Sequence, residues 1–174
     1  MNRERKVTWS DTELYRTSIE NNSGLSFVSS LADGKLPNPP FFQLLGFKLV
    51  KVQKGLVTAE CEMGEHLYNA ACVVHGGVVA TLIDTTTALA VRSCLPKGSQ
   101  MTSIELKLNF LKSLVKDSGK IIAIAEVIHL GRRVSLAESK VYTSDGKLVA
   151  IGTSSIARIY KFTNEISPSL LTGC

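Results

Sequence analysis

The chain has 174 residues, a net charge of +5 and 44% hydrophobic residues, which fits one domain with a full hydrophobic core. The charge is spread along the chain, which argues against a nucleic-acid partner, and no apolar run reaches the roughly 18 residues that cross a bilayer. No apolar stretch follows the charged first six residues, so we expect no secretory signal. Four cysteines without a Cys-x-x-Cys pair predict reduced thiols in a cytoplasmic protein, with neither a disulfide frame nor a metal site.

The first 35 residues mix polar and apolar positions and predict a helical N-terminal extension. Residues 10–13 resemble a capping box, and we expect one or two short helices on the surface. A proline-rich connector at residues 36–40 leads into the main domain. The predicted division is therefore an extension at 1–35, a main domain at 36–160 and a C-terminal tail at 161–174.

The main domain begins with two predicted strands, at 47–53 and 56–62, and a long apolar helix at about 76–92. Four strand-like segments follow, at 103–111, 120–130, 133–143 and 147–160. In the first of these, strict alternation places four apolar side chains on one face: Ile104, Leu106, Leu108 and Phe110. A helix this apolar needs cover on nearly all sides. The order of elements therefore predicts an α+β fold in which a curved antiparallel sheet wraps a long central helix.

The start of this helix carries the clearest chemical signal in the chain. His75 precedes Gly76 and Gly77, which leave main-chain N–H groups at the helix start without side chains to block them. Together with the helix dipole, such groups suit an anion or a polarised carbonyl oxygen. Asp84, in the apolar run that follows, is a candidate base or nucleophile. The combination suggests acyl-transfer chemistry.

The spacing of these residues predicts a dimer. Asp84 lies eight residues after Gly76, which is about 12 Å along a helix axis. One carbonyl group cannot contact both ends of that distance. If both residues serve one reaction, the aspartate comes from a second copy of the helix packed antiparallel, in a symmetric dimer.

The element order, with Tyr68-Asn69, His75-Gly76-Gly77 and Asp84, resembles the hotdog-fold acyl-CoA thioesterases, specifically their PaaI-like branch. Segments 36–40, 103–110 and 129–133 add to this resemblance, which runs from about Leu36 to Ile159. It implies a hotdog fold and a dimer with two active sites at its interface, which often pairs into tetramers. It also implies hydrolysis of an acyl- or aryl-acyl-CoA substrate without cofactor or metal. From charge and hydropathy we expect neither nucleic acid nor a membrane as a partner.

The resemblance also implies roles for matching residues. The Gly76 N–H would donate to the thioester carbonyl, and Asn69 would hold the carbonyl or the attacking water. Asp84 of the partner subunit would act as general base, or as a nucleophile that forms a transient anhydride. Ser103 would help to position the water or the carboxylate. His75, from its place at the first helical turn, is a candidate for a positioning role in catalysis or for a loop anchor that is hydrogen-bonded to the main chain. Where many members have glycine three residues after the asparagine, this chain has Cys72.

Binding of the CoA phosphates is predicted for the arginine pair Arg132 and Arg133, because arginine forks suit phosphate oxygens. His129 is a weaker companion, and Gly77 is assigned to substrate binding beside Gly76. Adjacent arginines at a turn are also common as solvated charge, so the sequence leaves both interpretations of this pair open.

Two further functions stay open at this stage. One is a non-catalytic acyl-CoA sensor that uses the same fold, since fold alone does not establish activity. The other is a hotdog hydratase or dehydratase, although the chain lacks the Pro-Gly that those proteins carry near their histidine. The sequence does not identify the acyl group.

Overall fold

The computed structural model describes residues 2–159, which contain four helices, six strands and two short 3-10 turns. The helices are α1 (Glu13–Asn21), α2 (Gly24–Ala32), α3 (Pro40–Leu45) and α4 (Gly76–Ser93). The strands are β1 (Phe47–Gln53), β2 (Leu56–Glu62), β3 (Gln100–Phe110), β4 (Lys120–His129), β5 (Val134–Thr143) and β6 (Leu148–Ile159). The predicted tail at 161–174 lies outside the described residues.

All six strands form one antiparallel sheet in the order β1-β2-β4-β5-β6-β3, so β1 and β3 are its edges. Helix α4 lies across one face and contacts every strand. Small inward-facing side chains, such as Ala59, Ala123 and Ala125, allow this close approach, and Leu82 and Ile83 of α4 are completely buried. The predicted α+β fold with a central helix is confirmed, and the helix begins at the predicted residue and ends one residue later.

One flank of α4 is not fully covered by the sheet. Thr81, Asp84, Thr85 and Ala88 are only half-buried. Asp84 and Thr85 each lie three or four positions from Thr81 and from Ala88, so the four residues form a single stripe along the helix. In a single chain the sheet therefore does not cover α4 on nearly all sides, although such cover was predicted.

The N-terminal extension is helical, but the prediction that its helices lie on the surface is wrong for α2. Phe27, Val28 and Leu31 of α2 belong to the main hydrophobic core, whereas α1 has no buried residue. The α2 N-terminus also docks on the end of α4, where the Gly24 N–H donates to the Leu95 carbonyl at 2.9 Å. Since this helix completes the core of the main domain, the boundary at residue 35 stays a prediction.

The predicted capping box at residues 10–13 is also wrong. Helix α1 begins at Glu13, whose N–H donates to Asp11 Oδ1 at 3.0 Å, and the N-cap residue Thr12 makes no side-chain cap bond. The carboxylate of Asp11 therefore accepts a hydrogen bond from the Glu13 N–H in the first turn. In the predicted capping box, the hydroxyl of Ser10 would accept that hydrogen bond.

Strand β3 differs from its predicted regular alternation. A bulge between Ser103 and Glu105 interrupts the pairing with β6. After the bulge Leu108 packs against the core, but Ile104 and Phe110 are each 57% exposed. Because β3 is an edge strand, no element of the described chain covers these side chains, and they leave an apolar strip along one edge of the sheet.

No helix within residues 2–159 has the length and hydropathy needed to cross a membrane.

We expect Gly24→Ala to destabilise the protein by about 1–3 kcal/mol, since inserting atoms into a packed contact forces neighbouring groups apart. A Cβ at this position would lie 1.7 Å from the Arg92 carbonyl oxygen, a main-chain atom of α4 that cannot swing away. Urea unfolding measures the change, with Ser26→Ala on the exposed side of α2 as control. Equal stability of the two variants would show that α2 does not depend on this close contact.

Candidate functional site

The first turn of α4 holds one free main-chain donor. His75 is the N-cap, and its Nδ1 accepts a hydrogen bond from the Gly77 N–H at 2.8 Å. The imidazole therefore carries no proton on Nδ1, and the Gly77 N–H is occupied. Within residues 2–159 the Gly76 N–H has no hydrogen-bond partner. At the positive end of the helix dipole, Gly76 is thus the glycine whose N–H is free for an incoming oxygen.

Two cavities flank this turn. The first, of about 430 Å³, is lined by Gly76, by the polar residues Lys112 and Ser113, and by six apolar side chains: Val73, Val74, Val79, Phe110, Leu111 and Leu114. The second, of about 380 Å³, lies on the other side, with Phe41, Leu45, His75 and Gly77 in its wall. Gly76 therefore lies beside a cavity that is large enough for a small acyl or aryl group and that offers it several apolar side chains.

Phe110 is a site residue that the sequence did not identify. A Cβ placed on Gly76 would lie 2.9 Å from Phe110 Cζ, so the ring packs directly against this glycine. The absence of a side chain at Gly76 therefore leaves room for the ring as well as for a ligand. The apolar face of β3 was predicted, but its register against α4 is a tertiary feature that alternation along one strand does not reveal.

Asn69 shapes the loop that leads into α4. Its Oδ1 accepts hydrogen bonds from the main-chain N–H groups of Ala71 at 2.9 Å and of Val73 at 3.4 Å. Its own N–H donates to the Val73 carbonyl at 2.8 Å. These bonds form a tight asparagine turn. Because Asn69 Oδ1 is engaged in the loop, only the side-chain amide nitrogen of Asn69 is left to make the predicted contact with a carbonyl group or water.

Cys72 occupies a left-handed main-chain conformation, with φ of 58°. It is the only residue besides glycine in this region of φ among residues 2–159. A side chain in this conformation costs about 1–2 kcal/mol relative to the right-handed region. The presence of Cys72 where many family members have glycine thus affects the stability of the loop. The loop still adopts a turn that suits glycine.

Asp84 lies on the half-buried flank of α4 and carries an unsatisfied oxygen. Its Oδ1 is buried and has no hydrogen-bond partner within the described residues. The hydroxyls of Thr86 and Thr87 donate to carbonyls of the preceding turn and not to this carboxylate. A buried polar atom without a partner is costly, and its presence indicates a missing donor such as a water, a ligand or a second chain.

Ser103 lies toward the other end of α4 from Gly76. Strand β3 runs antiparallel to α4, because Phe110 contacts Gly76 whereas Met101 packs with Val91 and Leu95 near the helix end. The structure therefore divides the predicted catalytic residues into two groups. Asn69, His75 and Gly76 lie together, whereas Asp84 and Ser103 lie farther along the helix.

The predicted phosphate-binding residues lie at the end of the sheet that is distant from Gly76. Arg132 and Arg133 are exposed between β4 and β5, and His129 is the exposed last residue of β4. The Arg133 carbonyl accepts a hydrogen bond from the Arg158 N–H at 2.8 Å, which ties this turn to the end of β6. The predicted exposure of the arginine pair is confirmed, and its role in binding stays a prediction.

The cysteines and metal ligands of the described chain offer no competing centre. Cys61, Cys72 and Cys94 are free thiols, and burial raises the pKa of the Cys61 thiol to about 12, which keeps it neutral. Cys174 lies outside the described residues. Within 2–159 there is no group of three or more histidine, cysteine or carboxylate side chains that could hold a metal ion.

A long helix across a curved antiparallel sheet defines the hotdog class of folds. The E. coli PaaI protein, from the phenylacetic acid degradation operon, has the same fold, with a TM-score of 0.68 and 22% identity over 76% of this chain and 94% of its own. The sequence model of the thioesterase superfamily matches residues 72–150. A relative from Saccharolobus solfataricus is 33% identical over 119 residues, which are 67% of this chain and 83% of that protein. A 1,4-dihydroxy-2-naphthoyl-CoA hydrolase from Listeria monocytogenes is 27% identical over 66% of this chain and 92% of its own.

The chain belongs to the thioesterase superfamily. The sequence-based assignment to hotdog thioesterases, and with it the class of thioester hydrolases, is confirmed.

We expect Cys72→Gly to be more stable than Cys72→Ala by about 1 kcal/mol, since glycine adopts the left-handed conformation without a steric cost. Both variants remove the thiol, so their difference isolates the main-chain conformation. Urea unfolding at one protein concentration gives the comparison. An alanine variant as stable as the glycine variant would mean that the loop relaxes out of this conformation at little cost.

Proposed function

We propose that this protein is an acyl-CoA thioesterase that hydrolyses an acyl- or aryl-acyl-CoA to the free acid and CoA. The observation that carries the proposal is a pair of unsatisfied polar groups on α4, the Gly76 N–H and Asp84 Oδ1. One suits the carbonyl oxygen of a thioester, and the other suits a water molecule that attacks its carbon. The apolar cavity beside Gly76 suits the acyl group, and the name of the Listeria relative supports a CoA ester as substrate.

The two groups serve one reaction only if two chains share the site. They are about 12 Å apart on one rigid helix, which is too far for a single thioester group. Two uncovered surfaces support a symmetric dimer: the half-buried stripe of Thr81, Asp84, Thr85 and Ala88, and the exposed apolar edge of β3. Antiparallel packing of two α4 helices along this stripe places Gly76 of one chain beside Asp84 of the partner subunit. Pairing of such dimers into tetramers remains a separate prediction.

In this arrangement the Gly76 N–H donates to the thioester carbonyl oxygen and stabilises the negative charge that develops on it. The carboxylate of Asp84 of the partner subunit removes a proton from water as the water oxygen attacks the carbonyl carbon. The tetrahedral intermediate then collapses, the carbon–sulfur bond breaks, and the CoA thiolate takes up the proton. A carboxylate in this position also permits direct attack through a transient anhydride that water then hydrolyses.

The neighbouring residues position these groups. His75 holds the Gly77 N–H and thereby leaves Gly76 as the donor, and the asparagine turn at Asn69 fixes the loop before the helix. Ser103, like Asp84, lies away from Gly76 along α4. In the dimer it therefore belongs to the half-site of Asp84, which holds the attacking water. Phe110 forms a wall beside the carbonyl group.

We expect Asp84→Asn to lower kcat by roughly 100-fold or more, since general-base assistance contributes about 10²–10⁴-fold. Release of thiol from a panel of acyl-CoA esters, followed with a free-thiol reagent, measures turnover and ranks the acyl groups. Asp117→Asn, the same chemical change at an exposed turn, serves as control. Near-normal turnover by Asp84→Asn would refute the assigned role, and CoA-ester binding without turnover by the wild type would favour a sensor.

The donor is tested with two variants of one residue. Gly76→Ala and Gly76→Pro both add a Cβ that meets the Phe110 ring, but only proline removes the N–H. Proline is tolerated at the first position of a helix, and His75 already has the extended conformation that precedes proline, with ψ of 132°. We expect the proline variant to lose about 100-fold in kcat beyond the alanine variant. An equal loss of kcat in the two variants would show that the added Cβ, and not the missing N–H, lowers turnover.

A mixed dimer then tests whether the site is shared. A dimer of one Gly76→Pro chain and one Asp84→Asn chain, isolated with two different tags, has one doubly defective site and one intact site. We expect it to recover about half of the wild-type turnover, because a symmetric dimer has two equivalent sites. No recovery above the two parent variants would place both groups of each site in one chain and would overturn the shared site.

A further inference from the structure

The residues before α1 are attached to the main domain through an arginine. Residues 2–11, which we call the N-terminal strap, have no regular secondary structure. Within the strap, the Arg5 guanidinium donates to the Leu44 carbonyl at 2.8 Å and to the Gln43 carbonyl at 3.3 Å. Both carbonyls belong to the last turn of α3, where a helix leaves its C=O groups without main-chain partners. Arg5 therefore holds the C-terminal end of α3.

Helix α3 has few other anchors. Of its six residues, Phe42 is the one that is buried, and its ring packs edge-on against the ring of Phe47. The Cys61 thiol donates to the Leu45 carbonyl at 3.3 Å. A segment with few buried contacts opens more easily than the core around it. The two hydrogen bonds from Arg5 are therefore a large part of what keeps α3 in place.

Helix α3 forms one wall of the second cavity beside the start of α4, which has a volume of about 380 Å³. Phe41 and Leu45 lie four positions apart, on one face of α3, and both line this cavity. His75 and Gly77, the two neighbours of Gly76, line it on the side of α4. Among the described residues, no lysine, arginine or carboxylate belongs to its lining. The cavity therefore offers apolar side chains next to the free N–H of the helix start.

The strap also reaches a second wall of this cavity. Arg3 forms an ion pair with Glu65, the first residue of the 3-10 turn Glu65–Leu67. The other two residues of that turn, His66 and Leu67, line the cavity. The strap therefore joins two walls of one cavity, and its arginines set how these walls lie relative to each other.

The cavity adjoins the shared site, so the next step rests on the proposed function. Thr81, in the lining of the cavity, belongs to the half-buried stripe of α4 that the partner subunit would cover. With the thioester carbonyl at Gly76, an acyl group that is too long for the first cavity has apolar space in the second. The wall that such a group would contact is the face of α3 with Phe41 and Leu45.

We propose that Arg5 is a positioning residue that enables the enzyme to accept long acyl groups, because it holds Phe41 and Leu45 of α3 in place against the acyl chain. A wall that is already ordered loses less entropy when the ligand binds. If α3 occupies its binding position for only part of the time, the apparent affinity falls in proportion to that fraction. Short acyl groups, which the first cavity accommodates, do not depend on this wall.

The first test compares a short ester, acetyl-CoA, with a long one, decanoyl-CoA. We expect Arg5→Gln to raise KM for decanoyl-CoA about fivefold, which corresponds to about 1 kcal/mol, and to change kcat less than about twofold. KM for acetyl-CoA is expected to stay unchanged. Arg5→Lys keeps the charge and a donor, and we expect it to restore most of the affinity. Lys6→Gln, at an exposed neighbouring residue of the strap, is the matched control and is expected to change neither KM.

A double-mutant cycle then shows whether Arg5 acts through α3. In a Phe41→Ala chain the wall is already damaged, so adding Arg5→Gln is expected to raise KM for decanoyl-CoA by less than about twofold. A fivefold rise in both backgrounds would overturn the proposal, as would an equal rise for acetyl-CoA and decanoyl-CoA. An unchanged KM for decanoyl-CoA in Arg5→Gln would also overturn it, while the thioesterase function would stand.

The position of the strap can be tested without turnover, by NMR titration of the histidine side chains. Burial, and after it the positive charge of Arg5, lowers the pKa of His66. Loss of that charge in Arg5→Gln is therefore expected to raise the pKa of His66, and Lys6→Gln is expected to change it less. An unchanged pKa of His66 in Arg5→Gln would show that Arg5 does not lie beside this turn and would overturn the proposal.

Failure of the wild type to hydrolyse either ester would count against the proposed function. Calorimetric titration with decanoyl-CoA then tests the role of Arg5 in binding alone. About fivefold weaker binding by Arg5→Gln, with Lys6→Gln unchanged, would support this role. Equal affinity of the wild type and Arg5→Gln would overturn it.

Discussion

The distance between Gly76 and Asp84 is the constraint on which the rest of this structure depends. Both residues lie on one straight helix, so the helical rise fixes their separation at about 12 Å whatever the loops around them do. A helix cannot bend to bring them together without breaking its main-chain hydrogen bonds. Under the proposed mechanism the chain would therefore carry two separate half-sites, and the exposed edge of β3 and the uncovered flank of α4 would become part of the shared site.

Within the first half-site, hydrogen bonds decide which group is free. Two glycines open α4, and on sequence grounds either could donate to a ligand. The His75 imidazole removes one of these donors by accepting from Gly77, and the Asn69 oxygen is used up by the loop. What is left is a single N–H at the positive end of the helix, next to an apolar cavity and the Phe110 ring. This N–H is therefore the main-chain donor of the helix start that is left for a carbonyl oxygen.

Sequence reasoning identified what depends on local pattern and missed what depends on distant contacts. The central helix, the order of the strands and the exposed turn of Arg132 and Arg133 follow from periodicity and turn residues, and they were predicted to within a few positions. The burial of α2 was missed because the surfaces that it packs against, β1 and α4, are distant in the sequence. Phe110 was missed for the same reason, since its importance lies in its contact with Gly76 of α4.

The unsatisfied atoms of the single chain connect its stability to its function. A buried Asp84 oxygen and a buried Arg158 N–H, each without a partner among residues 2–159, are unfavourable in an isolated subunit. The first lies on the flank that a second helix would cover, and the second lies near the end of β6. If a second chain or a water held at the dimer interface supplies the partner of Asp84, association removes an existing cost in addition to forming new contacts. Subunit association would then stabilise α4 and complete the proposed site in the same step.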